Sequence, residues 1–390
     1  MRKRIILDYI FVEFSFFMIL SSLCGYGIHF LMTIGFSASE AGIISAIGNF
    51  FSLLLQPIVT NIADNNKKFN AFRLGTIISL LILLSCLLLY FQNSASLLVI
   101  LLFVCVYGFY ETVESLTNTV PALFKHKGID LPYGLCRAFG SASYAIVTYL
   151  LGILVVKYGI VAILICEILG GLMMSISFYI LKKKYESIED KNKDENKDKV
   201  IPYSAFISRH KTFIILIIAV VGIYYGYTIS DNFMVLIVEN IGGDASDAGK
   251  ILGIKAMLEI PIIFFYEKIE KIFSAKKLLF FSVICLAIKA ILISISKTTT
   301  ALLCSQLIQP LSIAFFIPSM VSYTNQIMDK DEAARGQSLS IMAITLASII
   351  SSFVAGIIAD NYSVSTMLLS GTTVSIISAI VFCITISKKD

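Results

Sequence analysis

The sequence predicts an all-α membrane protein whose twelve transmembrane helices form two six-helix, pseudo-symmetric bundles. Three observations predict it. First, twelve long apolar runs cover residues 10–34, 41–60, 74–91, 97–124, 133–156 and 159–181, then 212–238, 248–265, 278–296, 301–328, 336–359 and 363–387. A helix rises ~1.5 Å per residue, so roughly 20 residues cross a hydrocarbon core about 30 Å thick. In lipid the backbone has to satisfy its own hydrogen bonds, which makes such runs helices. Second, the chain is 57% hydrophobic and 15% charged with a mean hydropathy of +0.86, too apolar for a soluble domain of 390 residues. Third, one charged stretch divides the runs six and six. The expected organisation is a bundle over 1–181, a cytoplasmic linker over 182–211 and a second bundle over 212–390.

Orientation follows from the placement of charge. With both termini inside, the inner segments hold 25 Lys and Arg and the outer loops hold 3, namely Lys157, Lys250 and Lys297. The positive-inside rule therefore places both ends in the cytoplasm of a multi-pass protein of the cytoplasmic membrane. The basic start Met1-Arg2-Lys3-Arg4 precedes an apolar run too long for a signal peptide and without a small-residue cleavage site, so it reads as an uncleaved first helix. Between the halves, residues 182–199 carry 7 Lys and 6 Asp or Glu among 18 residues, a composition that cannot bury a core. The stretch is a solvated tether or a lipid-binding, regulatory element. All eight cysteines lie inside apolar runs without paired spacing, and act there as small hydrophobes, neither disulfides nor metal ligands.

The halves echo one another. Ser39-Glu40-Ala41-Gly42 opens the second run and Ser246-Asp247-Ala248-Gly249 opens the eighth, with Pro57 and Pro261 following at nearly the same offset. Gly134 has a counterpart in Gly336, and residues 152–158 echo 356–362. Parallel six-helix repeats joined by a linker mark one transporter architecture, with its substrate site between the halves near midplane.

On these residues the chain resembles the major facilitator superfamily over essentially its whole length. Ala63-Asp64-Asn65-Asn66-Lys67-Lys68 is similar to the family's acidic-then-basic gating loop, with Thr60 and Lys67 where glycines are usual. A closer likeness is to the lactose permease and phenylpropionate permease branch of oligosaccharide:proton symporters. It rests on Gly42-Ile43-Ile44-Ser45-Ala46-Ile47 with Ser52-Leu53-Leu54-Leu55-Gln56-Pro57, on Tyr133-Gly134-Leu135-Cys136-Arg137-Ala138-Phe139-Gly140, and on Tyr323 followed by Arg335-Gly336-Gln337-Ser338-Leu339.

Membrane-embedded polar residues carry the functional signal, because a charge in lipid is costly unless it meets a partner or a hydrated cavity. Along the first half, Glu13 is a candidate proton site. Ser45, Asn49, Ser52 and Gln56 share one helical face, which lines a cavity or acts as packing glue. Tyr107, Glu111, Glu114 and Asn118 share another. Two carboxyls at i, i+3 repel in a low-dielectric cavity, so one is expected to hold its proton, as a proton carrier requires. Arg137 lies about one turn into the fifth run with Ser141, Tyr144 and Thr148 on its face. It either snorkels to the cytoplasmic surface or, as the resemblance implies, binds substrate. An ungapped alignment from Arg137 puts Thr119 where lactose permease has its substrate-binding acid, leaving Glu114 as the substitute or as a switchable salt-bridge partner of Arg137.

In the second half, Tyr224, Tyr227, Thr228 and Asp231 lie on one side of the seventh run, and Gln306, Gln309 and Ser312 mark the tenth. Lys255 and Glu259 at i, i+4 are an intrahelical pair or a coupling site beside Pro261. The tenth run lacks the histidine and glutamate expected from lactose permease, with Gln309 near the histidine position. Glu167 and Lys289 fall on runs that the family places at the periphery, and the pattern assigns them no role.

Enzymatic readings find little support. Residues 243–250 imitate a phosphate loop with the spacing one residue too long and Ile251 in place of Ser or Thr. No HExxH, cysteine-rich metal cluster or G-x-S-x-G occurs, and no soluble segment is long enough for a nucleotide-binding module. The expected function is secondary active transport of a small polar solute (sugar, nucleoside or organic acid) by alternating access, as a proton symporter. A proton-coupled drug or metabolite efflux antiporter is the alternative, disfavoured because efflux members of the superfamily the chain resembles carry a Gly/Pro-rich motif in the fifth helix, and here no proline follows Pro132. A non-transporting sensor needs no such polar faces. Partners are the solute, the proton and the bilayer, with no cofactor, metal or nucleic acid, and a monomer suffices.

Overall fold

The structure, a computed structural model, describes residues 2–66, 69–188 and 203–387. Every apolar run becomes helix. In chain order these are α1 (Arg2–Thr33), α2 (Ala38–Asn65), α3 (Ala71–Leu89), α4 (Leu97–His126), α5 (Tyr133–Tyr158) and α6 (Val161–Glu186). A short α7 (Tyr203–Arg209) precedes α8 (Lys211–Asn232), α9 (Met234–Asn240), α10 (Ala245–Glu270) and α11 (Ala275–Ile295). Then come α12 (Thr299–Ser305), α13 (Ile313–Ile327), α14 (Lys330–Asn361) and α15 (Val364–Ser387). Among the described residues, 11 helical spans are long and apolar enough to cross a membrane. The twelfth, α10, is long enough but carries Lys250, Lys255 and Glu259 within its apolar run.

Two runs are broken where continuous helices were expected. The seventh divides at Phe233 (φ −102°, ψ 17°) into α8 and α9. The tenth divides into α12 and α13 around a 3₁₀ turn, Gln306–Leu311, ending at Ser312 (φ −99°, ψ −97°). Pro310 within that turn has no N–H to give to the α-helical ladder, so the backbone tightens instead of continuing.

The echo between the halves is partly a matter of capping. Ser37 caps α2 in a reciprocal box, its hydroxyl accepting from the Glu40 N–H at 3.2 Å while the Glu40 carboxylate accepts from the Ser37 N–H at 2.8 Å. Asp244 accepts from the Asp247 N–H at 3.0 Å at the start of α10, the same three-residue spacing.

The chain forms two compact units, Met1–Asp194 with Asp244–Met257, and Glu195–Gly243 with Leu258–Asp390, so α10 contributes to both. In the first unit α1 packs on α5 and α6, α2 on α4, and α3 on α4 and α6. In the second, α8 packs on α14 and α15, and α11 on α13 and α15. The pairings of α1 and of α3 recur six spans later in those of α8 and of α11. Each unit turns small and hydrogen-bonded residues inward. Ser15, Ser22, Ser79 and Thr112 are buried and return their hydroxyls to carbonyls three or four residues back. The opposite face of α6, Ile165, Leu169, Leu172 and Ile176 at i, i+4, i+7 and i+11, is exposed for contact with lipid.

The first half of α10 joins the first unit by close backbone approach. A Cβ on Gly152 would lie 2.6 Å from the Ala245 carbonyl oxygen, and one on Gly249 would lie 2.7 Å from that of Thr148. Tyr26 bridges the same place, its hydroxyl directed at the Thr148 carbonyl at 3.0 Å and the Ala245 carbonyl at 3.3 Å.

In the second unit, α7 docks through Phe206, fully buried in the hydrophobic core. Glu332, at the start of α14, receives Arg209 Nη1 at 2.9 Å on one oxygen and meets His210 Nε2 at 2.8 Å on the other. The hydrogen bond with His210 and those of Arg209 hold the Glu332 carboxyl below its ordinary value, against the opposing effect of burial. A lowered folded value stabilises the docked state above the unperturbed carboxylate range, about pH 4.3, and the stabilisation is lost as pH falls below it. Glu332→Gln should therefore speed hydrogen exchange of the α7 amides at neutral pH. The parent should show the same loss, after correction for intrinsic rates, only in acid. Equal protection in the variant and the parent at neutral pH would remove the carboxylate from this role.

Candidate functional site

In the first unit polar residues of α1, α4 and α5 meet near Arg137, and α2 packs its polar face on α4. The start of α5 puts this arginine about one turn inside the helix, where its Nη1 donates to Ser141 Oγ at 3.4 Å. Its guanidinium carbon lies 3.9 Å from the centre of the Phe17 ring on α1, within cation–π range. Among the described residues no carboxylate lies within ion-pair distance of it, so the salt bridge considered between Glu114 and Arg137 is not formed in this conformation. Glu13 and Glu114 nevertheless sit within electrostatic reach of the guanidinium.

Glu111 and Glu114 are half-buried on α4 and close enough to interact with each other. Gln56 of α2 donates to the Glu111 carbonyl at 2.8 Å. Asn118, further along α4, is exposed and accepts from the Tyr133 hydroxyl at 3.1 Å. Tyr144 is half-buried one turn beyond Ser141. Asn49 is buried, and its amide donates to the Ser45 carbonyl at 3.0 Å.

Glu13 is only 1% exposed, and its Oε1 has no hydrogen-bond partner among the described residues. A buried polar atom left without a partner costs roughly 1–3 kcal/mol, and more if charged. This oxygen is therefore where a proton or an incoming donor gains most. Asp64 lies within α2, but its side chain, Lys67 and Lys68 of the expected gating loop fall outside the described residues.

The second unit builds a separate network. Lys289 Nζ donates to Gln309 Oε1, and Gln309 Nε2 donates to Glu259 Oε1. The ammonium also lies 5.3 Å from the centre of the Tyr227 ring. Tyr224 and Tyr227 meet edge-on at 5.7 Å, and Tyr224 packs on Phe316 at 5.4 Å. The Tyr224 hydroxyl and Gln306 Oε1 are buried without hydrogen-bond partners among the described residues. Asp231 is half-buried within electrostatic reach of both tyrosines. The structure thus brings Tyr224, Tyr227, Gln309 and Glu259 together. The 3₁₀ turn positions Gln306 and Gln309.

Lys289, to which the sequence assigned no role, completes the network. It sits with Ser282, Leu286 and Ile293 on the buried face of α11 at i, i+4, i+7 and i+11. The other face of α11, with Phe281, Ile284, Ile288 and Ile291, is exposed and wholly apolar, so the polar pair Ser282 and Lys289 was the signal for the inward face. Glu167 is also buried, and accepts from Cys86 Sγ at 3.3 Å between α3 and α6. That contact accounts for its tolerance in lipid without tying it to the Arg137 cluster. Phe17 carried no sequence signal, being one phenylalanine among 28.

Comparison with known proteins agrees with this architecture. The profile described as "MFS_1 like family" matches residues 6–370. No curated protein matches the sequence. Among solved structures, the nucleoside transporter NupG superposes with a TM-score of 0.80 at 14% identity, covering 99% of this chain and 100% of that one. A bacterial homolog to the human lysosomal transporter Spinster, inward-facing and unoccupied, gives 0.76 at 12% identity over 99% and 97%. An auto-inhibited POT family peptide transporter gives 0.76 at 10% over 99% and 97%. At these identities the likeness is one of fold.

Arg137→Lys keeps the charge but loses the planar guanidinium that stacks on Phe17 and offers a two-pronged donor. The variant should express and fold normally while uptake falls at least tenfold. Parental uptake by the lysine variant would return Arg137 to a surface-snorkelling role.

Proposed function

The chain belongs to the MFS_1 like family of transporters, and from that premise we propose that it is a secondary active transporter moving a small polar solute across the cytoplasmic membrane by alternating access, as a proton symporter. The observation that carries this reading is the pair of ionisable networks within the helical spans, Arg137 with Glu13, Glu111 and Glu114, and Lys289–Gln309–Glu259. A purely structural helix bundle in lipid gains nothing from embedding these charges. Arg137, Glu114, Asn118, Tyr144, Asn49, Tyr224, Tyr227, Asp231, Gln306 and Gln309 are proposed to bind the solute. Glu111, Glu114 and Glu259 are proposed to carry the coupled proton, and Asp64, Lys67 and Lys68 to act in gating.

The bundles of this reading are 1–181 and 212–390, tethered through 182–211, with both termini cytoplasmic on the 25-to-3 distribution of basic residues. The motif around Arg137 supports a place in the lactose and phenylpropionate permease branch. Sugars, nucleosides and small organic acids fit its carboxyl, amide and tyrosine lining. The nucleoside and peptide transporters that share the fold put uridine and a dipeptide beside lactose and phenylpropionate in an uptake screen.

A proton carrier gains and loses its proton in each cycle, so a neutral mimic separates exchange from accumulation. At least one of Glu111→Gln, Glu114→Gln and Glu259→Gln should keep solute exchange in proteoliposomes yet lose accumulation driven by a pH gradient. Parental accumulation in all three would overturn proton coupling through these acids.

A further inference from the structure

Arg137 is held by an aromatic ring rather than by an acid, and the surroundings of that ring are built for the purpose. Phe17 is buried on α1 and packs closely against α5 where Gly140 has no side chain. A Cβ at residue 140 would lie 2.4 Å from Phe17 Cδ2, closer than non-bonded carbons approach. Phe16 meets the Phe17 ring edge-on at 5.2 Å and stacks on Tyr110 of α4 at 4.6 Å with planes 14° apart. Ser143 Oγ donates to the Phe14 carbonyl at 2.8 Å, tying α5 to α1 beside the ring. Four features therefore restrain Phe17: the Gly140 backbone, the Phe16 edge, the Tyr110 stack behind it and the helix tie. Arg137 covers its remaining face.

A guanidinium resting face-on upon a ring is attracted by the ring's quadrupole and uses none of its in-plane N–H donors in that contact. A carboxylate partner would instead occupy those donors and compete with a solute. The contact consequently orients the fork without consuming it. Ser141, one helical turn from Arg137, takes one N–H and fixes rotation about the side chain's long axis.

We infer that Phe17, wedged against Gly140, is the positioning residue for Arg137. It holds the guanidinium over the ring, a contact that takes up none of its N–H donors, so that these meet a solute carrying two adjacent oxygen acceptors, a carboxylate or vicinal hydroxyls. The inference rests on the reading that Arg137 binds the solute, and it adds both the residue that aims the arginine and the acceptor geometry selected.

Two readouts test it on the purified full-length protein. The first is modification of Arg137 by phenylglyoxal, followed by peptide mass spectrometry, which requires no transport. Phe17→Leu preserves bulk but removes the ring, and should speed modification by about three- to tenfold, while Phe17→Tyr should match the parent. The second is uptake of whichever of lactose, uridine, a dipeptide or phenylpropionate the parent carries. In Phe17→Leu its KM should rise by a similar factor with maximal rate retained. Unchanged modification in Phe17→Leu overturns the inference. Faster modification with unchanged KM sustains the platform and instead removes Arg137 from solute binding. The double variant Phe17→Ala/Gly140→Ala lets the new Cβ occupy the space left by the ring, so the helices can pack without the platform. Thermal stability near the parent's with KM still raised supports positioning; recovery of KM as well would show that Phe17 serves packing alone.

Discussion

Everything in this molecule follows from being dissolved in hydrocarbon. With no water at hand, each backbone amide and each charge has to find its partner within the protein. The backbone answers with long helices, and buried serines and threonines answer by bonding back to their own helix. Helices approach closely where glycine permits it, as at Gly152 and Gly249, where a single methyl group would strike a neighbouring carbonyl. Apolar side chains are not driven inward as they are in water. The lipid-facing stripe on α6 is as apolar as the core, and polarity marks the inside.

Seen this way, the embedded charges are the expensive features and the informative ones. The two units answer the cost differently. In the first, the Arg137 cation lies on an aromatic face while Glu13 and Glu114 stand nearby, Glu13 with an oxygen that has no hydrogen-bond partner among the described residues. In the second, an amide separates cation from anion, Lys289 fixing its oxygen end and Glu259 its nitrogen end. Neither arrangement maximises stability. Each leaves polar atoms able to change partners, as a site that binds and releases solute requires.

Much of this was legible beforehand. Run length and the echo of Ser39-Glu40 in Ser246-Asp247 predict spans and repeat, because these depend on solvent and period alone. The same echo hides its local cause, since the capping residues are Ser37 and Asp244 just upstream. The faces of Arg137 and of Glu111 with Glu114 were readable from 3.6-residue spacing. The break in the tenth span was less so, because Pro310 sits in a run otherwise apolar enough to read as continuous. Phe17 and Lys289 act through neighbours far away in sequence. Glycine at position 140 and Gln309 on the tenth span give them meaning, and neither partner can be read from one helix.

Whether these buried charges do work is decided most directly by reconstituting the purified protein into sealed vesicles and imposing an inside-alkaline pH gradient. Radiolabelled lactose, uridine, a dipeptide and phenylpropionate are offered in turn. The account predicts that at least one accumulates above its external concentration and that a protonophore collapses the accumulation. Entry of that solute only to equilibrium, at a rate indifferent to the gradient, or accumulation that requires sodium instead, would contradict it.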